Sequence, residues 1–309
     1  MSSSSTTPGK LKVVVTGGSG RIGSAVIREL VARGHAVTNI DRRAPHEPTP
    51  GVRFVYCDIR RREQVQPVLD GADAVAHLAE IPHSHAPYSG DEIFSHNVQA
   101  GSVVMQTAAD LRLRHCIYTS SMQVYGHWGP PPQPAPRFLP MDETHPVQPT
   151  NVYSLSKVAN ETFAKLMADQ HNLSVSVVRL PGTWGGDFNE RWMRWMSADK
   201  DDGPVHELQT YVHATDVAVA YAEMVERAHP GCETYHLTAA DVVSLVPLTE
   251  RIRKHNPGLP PLPADWPPFR SPVLTTKARD KLGWEPRWSF LDQYAKWKGH
   301  DPRSQAVKG

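Results

Sequence analysis

Tyr153 and Lys157 stand four residues apart in a segment, 152–170, whose apolar residues continue at helical spacing through Phe163, Leu166 and Met167. At that spacing a phenol and an ammonium share one helix face. A tyrosine is a poor base at neutral pH because its reference pKa is about 10, but a fixed positive charge beside it favours the phenolate. The pair is therefore equipped to move a proton. A second set of residues is suited to phosphate. Gly17, Gly20 and Gly23, each three apart, follow a short β-branched run at 11–16 and open a helical pattern carrying Ile22, Val26, Ile27 and Leu30. Missing side chains let the backbone approach a pyrophosphate, and the helix start supplies unpaired N–H groups and a positive dipole end, so Gly17, Gly20, Arg21 and Ile22 are candidate cofactor contacts. Asp41 lies about 20 residues further on, where a carboxylate accepts both ribose hydroxyls and repels a 2′-phosphate. NAD is expected over NADP. Arg42 and Arg43 follow directly, and an arginine there can stack on adenine or pair with a phosphate. Asp58 is a candidate acceptor for the adenine amino group.

Positioning these residues takes a regular alternation of elements. The pattern predicts strands over 11–16, 36–40, 52–56, 74–78, 115–119 and 175–180, with helices after the glycine turn and over 61–69, 91–110 and 152–170. Strands and helices in strict succession imply an α/β fold, a doubly wound parallel sheet of Rossmann type that binds ligands at the carboxyl ends of its strands. The proline-rich stretch 129–149 reads as a long loop near that edge. Beyond 180 the pattern loosens into a short helix over 189–196, a clear one over 215–227, a late strand at 234–237, an irregular connection over 257–272 and two closing helices over 275–282 and 290–297. The expected organisation is a disordered tail at 1–10 and an NAD-binding domain at 11–180. Residues 181–309 then form a small, discontinuous substrate cap with some segments returning to the core.

The totals exclude several classes. Among 309 residues, 33 basic and 32 acidic side chains leave a net charge of +1, which points to no nucleic-acid partner and no anionic membrane. No apolar run approaches the roughly 18 residues of a membrane span. The segment 1–10 lacks the apolar stretch of a signal peptide. Three scattered cysteines, Cys57, Cys116 and Cys232, form neither a disulfide framework nor a zinc site, and a cytoplasmic protein is expected. Sixteen histidines show no metal-ligand spacing, so no metal is expected.

Several segments together resemble the extended short-chain dehydrogenase/reductases, the NAD-dependent epimerase/dehydratase family. They are T-G-G-S-G-R-I-G from Thr16, D-I at Asp58-Ile59, H-L-A from His77, N-V-Q-A-G from Asn97, S-S-M-Q-V-Y-G from Ser120, Y-S-L-S-K from Tyr153 and K-A-R-D-K-L-G-W-E-P from Lys277. The resemblance implies that Tyr153 is the catalytic acid/base, that Lys157 lowers its pKa and holds the nicotinamide ribose, and that Ser121 orients the substrate. It also implies that Ile59, Leu78, Ala79, Asn97 and Pro181 touch the cofactor, that His77 is structural, and that a homodimer forms through the helices at 91–110 and 152–170.

Departures from the family pattern constrain the substrate. Met122 and Gln123 stand where the dehydratases carry an acidic pair, so dehydration is not expected. Gly182 falls within G-T-W-G where nucleotide-sugar epimerases resemble N-V-Y-G-P, and Gln209 replaces the arginine that holds the diphosphate. A diphosphate without that arginine loses a charge-assisted contact. A closer similarity is to uronate dehydrogenases, which have H-L-G-G-I-S where this chain reads H-L-A-E-I-P from His77. Met122, Gln123, Gly182 and Arg191 are the expected substrate contacts beside Ser121 and Tyr153; Arg191 or Arg194 suits a carboxylate, and His83, His85 and His127 lie near the predicted mouth. The expected function is NAD-dependent, Tyr/Lys/Ser-assisted hydride transfer at a hydroxyl carbon of a sugar or sugar acid. A sugar epimerase holding its NAD tightly is the alternative, and a non-catalytic NAD-binding protein a third.

Overall fold

The computed structural model describes residues 9–82, 87–128, 133–185, 193, 205 and 207–306. Seven strands form one parallel sheet: β1 (Lys12–Thr16), β2 (Ala36–Asp41), β3 (Arg53–Tyr56), β4 (Ala74–His77), β5 (His115–Ser121), β6 (Ser174–Leu180) and β9 (Cys232–His236), in the order β3-β2-β1-β4-β5-β6-β9. Two short strands outside it, β7 (Gly182–Trp184) and β8 (Tyr211–His213), pair with each other. The order reverses direction between β1 and β4, which opens a crevice at their carboxyl ends.

The strand runs are apolar on both faces because both faces are covered. Period-two alternation divides each run between two cores: Val13 and Val15 join one cluster and Val14 the other, as Ile117 is separated from Cys116 and Tyr118 on β5. The first cluster lies under α1 (Arg21–Ala32) and α5 (Ala214–Glu226). The second lies under α2 (Arg62–Leu69), α3 (Gly90–Asp110) and α4 (Val152–His171). Helices α6 (Leu248–His255), α7 (Thr276–Leu282), α8 (Phe290–Lys298) and α9 (Arg303–Ala306) follow.

The sequence pattern misses α6 and the β7–β8 pair. In α6 only Leu248, Arg251 and Ile252 are buried, too few apolar positions to register as a period. The predicted helix at 189–196 lies almost entirely outside the described residues.

Both long helices begin at a reciprocal cap. Ser89 and Glu92 close a capping box on α3, and on α4 the Asn151 side chain accepts from the Ser154 N–H at 2.9 Å while Ser154 Oγ accepts from the Asn151 N–H at 3.2 Å. The α4 cap fixes the first turn of that helix, and Tyr153 lies in that turn. Asn151 Nδ2 also donates to Gln123 Oε1 at 3.2 Å, tying the helix start to the segment after β5.

Candidate active site

At the crevice the backbone turns from β1 into α1 through Gly17, whose φ of 69° is left-handed. A Cβ there would stand 2.8 Å from the backbone of Ala79, and one at Gly23 would stand 2.2 Å from the Gly17 carbonyl oxygen. Gly20 caps α1 with no side-chain hydrogen bond, which leaves the first N–H groups of the helix directed at the crevice. Gly23→Ala is expected to displace the turn, weaken NADH binding at least tenfold in a fluorescence titration, and cost about 1–3 kcal/mol in unfolding free energy.

Asp41 ends β2 beside this turn, its carboxylate accepting from the Ser19 N–H at 3.2 Å and the Arg43 N–H at 3.1 Å. A cavity of about 970 Å³ runs from here to the opposite rim, within the range of cofactor sites. Of the expected cofactor contacts, Gly17, Gly20, Arg21, Ile22, Asp41, Arg42, Ile59, Leu78, Ala79, Tyr153 and Pro181 line it. At the far end so do Ser121, Gln123, Gly182, Trp128 and Glu207.

Tyr153 is 6 % exposed and packs against Ile81 and Ile93. Burial pushes its phenol above the ordinary tyrosine range, and a hydrogen bond with Ser121 acts in the opposite direction. Lys157, one turn on, is buried and donates from Nζ to the Thr119 carbonyl at 2.8 Å. Burial lowers its ammonium to about 7, opposed by the charge of Glu161. Lys157 Nζ also lies 5.4 Å from the Tyr153 ring centroid. The expected trio, Ser121, Tyr153 and Lys157, is therefore brought together from β5 and α4.

Glu80, which the sequence pattern does not single out, completes this cluster. Its Oε1 accepts from the Tyr153 hydroxyl at 2.8 Å, and its Oε2 pairs with Lys157 Nζ. This anion opposes the desolvation of Lys157, so the pair favours the ammonium more than burial alone allows. The available signal was a charged residue at the end of a buried strand, in the H-L-A-E-I-P segment where the similar uronate dehydrogenases carry glycine.

Other expected residues take different roles. Asp58 is held by Arg60 through a two-point ion pair at 2.9 and 2.6 Å, which keeps its carboxyl well below the usual range. Asn97 exchanges hydrogen bonds with the backbone of Ile81 at 2.9 and 3.0 Å; it fixes the loop after β4 rather than lining the main cavity. Met122 is wholly buried in a core with Val124 and Trp128, because the turn after Ser121 points it inward, and it is not placed for substrate contact. His77 accepts a structural position with Thr16, Nδ1 to Oγ1 2.7 Å. His127 is buried and donates to the Pro134 carbonyl at 2.5 Å. Gln209 is buried in a short 3-10 turn, Glu207–Gln209, whose three residues have left-handed φ of 50–55°. Arg191, Arg194, His83 and His85 lie outside the described residues.

A Rossmann-type sheet with a glycine turn, a ribose-level aspartate and a buried Ser/Tyr/Lys cluster defines a dinucleotide-dependent enzyme of the short-chain dehydrogenase/reductase type. Residues 13–237 match the NAD dependent epimerase/dehydratase family, and the chain belongs to that family. Among its relatives, a dTDP-glucose 4,6-dehydratase of Streptomyces niveus is 28 % identical over 316 residues, covering 91 % of this chain and 90 % of that protein. Among solved structures, a short-chain dehydrogenase/reductase superfamily protein from Agrobacterium tumefaciens with bound NAD superposes with a TM-score of 0.70 at 20 % identity, over 96 % of this chain and 98 % of the other. A mutated uronate dehydrogenase gives 0.66 at 18 % identity, over 94 % and 90 %. The protein is an NAD-dependent enzyme of the oxidoreductase/epimerase type, and the uncapped helix start and the close Gly17–Ala79 approach fit a dinucleotide.

Proposed function

We propose that this protein is an NAD-dependent dehydrogenase acting on a hydroxyl carbon of a sugar-like molecule. The observation that carries the reading is the convergence of Ser121, Tyr153 and Lys157 on one end of a cavity whose other end is built by the glycine turn and Asp41. Bound NAD supplies the hydride acceptor. The Tyr153 oxygen takes the proton of the substrate hydroxyl, Ser121 orients that hydroxyl, and Lys157 holds positive charge beside the phenol so that its anionic form is accessible. Gly17, Gly20, Arg21 and Ile22 serve the pyrophosphate, Asp41 and Arg42 the adenosine half, and Ile59, Leu78, Ala79 and Pro181 the remaining walls. Gln123 and Gly182 serve the substrate, together with Arg191. Residues 181–309 supply most of the substrate side.

The proposed assembly is a homodimer through α3 and α4, supported by the exposed apolar side chains Val152, Leu155 and Leu166 on α4. A cytoplasmic location is supported by three free thiols, Cys57, Cys116 and Cys232. Among the described residues, no helix is long and apolar enough to cross a membrane.

The test is NADH formation, followed near 340 nm, with free aldoses and uronates beside UDP-, GDP- and dTDP-sugars. Net NADH with a free sugar supports the reading. Conversion of a sugar into its epimer with no net NADH, by protein that retains NAD through purification, replaces it with the epimerase reading that the family also contains.

A further inference from the structure

Glu80 is placed by backbone contacts on both sides. The Ala79 N–H donates to Thr16 Oγ1 at 3.1 Å, and the Ile81 N–H donates to Asn97 Oδ1 at 2.9 Å. With its neighbours pinned, the side chain presents its carboxylate to α4, where Oε1 accepts from the Tyr153 hydroxyl at 2.8 Å and Oε2 pairs with Lys157 Nζ. The phenol is therefore a donor in the resting site. The proton it holds is the one it must lose before it can take another from a substrate hydroxyl.

The charges of the cluster decide how firmly that proton is held. Ammonium, carboxylate and phenol together are neutral, and ionising the phenol leaves the cluster at −1 in a buried place. Without the carboxylate the same cluster starts at +1, and the loss of one proton brings it to zero. Burial favours the uncharged state, and an acceptor bonded to the phenol O–H favours its protonated form, so both effects of Glu80 hold the proton on. The neighbouring groups offer no second anion at the phenol. Burial lowers His77, at the end of β4, to about 3 and also lowers His96 on α3. Tyr118 on β5, whose ring centroid is 5.3 Å from Lys157 Nζ, is pushed up by burial. Ser121 acts on the phenol in the opposite sense to Glu80. Glu161 pairs with Arg179 and acts on the ammonium, and Arg21 and Glu207 stand in the wider lining; these three are common to every variant compared below.

We propose that Glu80 is a positioning residue that acts through Tyr153 and Lys157: its carboxylate keeps the proton on Tyr153, so that the base of the reaction is released only as the pH rises. The proposal rests on the hydroxyl-oxidation reading above and adds the control of its base.

The test reads kcat/KM for hydroxyl oxidation from pH 6 to 10, with NAD and the sugar that turns over best, on wild type, Glu80→Gln and Glu80→Asp. The wild-type value is expected to rise with pH through neutrality. In Glu80→Gln the rise is expected at least one pH unit lower, so that its kcat/KM at pH 7 relative to pH 10 exceeds the wild-type ratio at least tenfold. Glu80→Asp, which keeps the charge, is expected to stay near wild type. Urea unfolding over the same range reads the proton with no substrate present. Folded Glu80→Gln that has shed its proton binds one fewer than the unfolded chain, so its stability rises with pH up to the reference lysine and tyrosine values of about 10. Its deficit against wild type is accordingly expected to shrink at least tenfold in unfolding constant between pH 6 and 9. Should Glu80→Gln not fold, Glu80→Ala removes the same charge and takes its place. A flat wild-type profile, coincident profiles for wild type and Glu80→Gln, a deficit constant with pH, or a Glu80→Asp profile that follows Glu80→Gln overturns the proposal. A shrinking deficit in a protein that forms no NADH from any sugar overturns the dehydrogenase reading and leaves the role of Glu80 standing.

Discussion

Tyr153→Phe is expected to lower kcat for hydroxyl oxidation by about 10²–10⁴-fold, the range typical of losing a positioned general base. The substitution removes one oxygen and keeps the ring, and the ring is what packs against Ile81 and Ile93. Cofactor affinity is therefore expected to stay within a few-fold of wild type, because the glycine turn and Asp41 lie at the other end of the cavity. Stability is expected to change by less than about 1 kcal/mol, since the Glu80 carboxylate loses its donor at Oε1 but keeps Lys157 at Oε2. Initial rates of NADH formation, an NADH fluorescence titration and a melting curve separate the three quantities. A variant that binds NADH normally and retains wild-type kcat would remove Tyr153 from the chemistry.

Glu161→Ala is expected to cost about 3–5 kcal/mol of unfolding free energy, more than any other single change considered for this chain. Arg179 is buried on β6, and its Nε and Nη2 donate to the two carboxylate oxygens of Glu161 at 3.0 and 2.7 Å. Its Nη1 donates to the Tyr125 hydroxyl at 2.5 Å. The Glu161 carboxylate holds the Arg179 guanidinium above its already high ordinary value. Removing the anion leaves a buried cation without compensation, which is the costly half of breaking such a pair. Ser120 Oγ also donates to Glu161 at 2.5 Å, so the loss reaches the end of β5 next to Ser121. Urea unfolding measures the cost, and the double variant Glu161→Ala/Arg179→Met is expected to recover much of it by removing the stranded charge. A single variant that loses under about 1 kcal/mol would show that water reaches the guanidinium and that the pair behaves as a surface one.

Tyr153 and Glu161 stand eight positions apart on one helix, with Lys157 midway between them. Glu161 lies four residues beyond Lys157, and its charge raises the Lys157 ammonium against the lowering effect of burial. Its removal therefore acts on the site as well as on stability. The expected sign is a lower pKa for Lys157 and less help for the Tyr153 phenolate, seen as a loss of rate beyond what the unfolded fraction accounts for.

Much of this protein was legible from residue order alone. Runs such as 13–15 and 74–76 are apolar without interruption, and a strand covered on both faces needs that pattern. The glycines at 17 and 23 stand between a strand and a helix because a Cβ at Gly17 would lie 2.8 Å from the Ala79 backbone and one at Gly23 would lie 2.2 Å from the Gly17 carbonyl oxygen. Tyr153 and Lys157 were placed on one face by helix geometry, and Asp41 at a strand end by the length of the β1–α1–β2 unit. These are local relations, and local relations are carried by spacing.

Tertiary structure decided the rest. Glu80 meets Tyr153 across 73 positions of sequence, and only the packing of α3 and α4 beside the carboxyl end of β4 sets that meeting. The same packing gave Asn97 to the Glu80 loop, and the local turn after β5 sent Met122 into the core. Asp58 found Arg60 two residues away because the backbone after β3 folds both side chains to one side. Hydrophobic period and glycine spacing specify where the chain turns and which face is buried. They carry no information about which polar side chains from distant loops share a rim, because that depends on the angles at which packed elements bring their ends together.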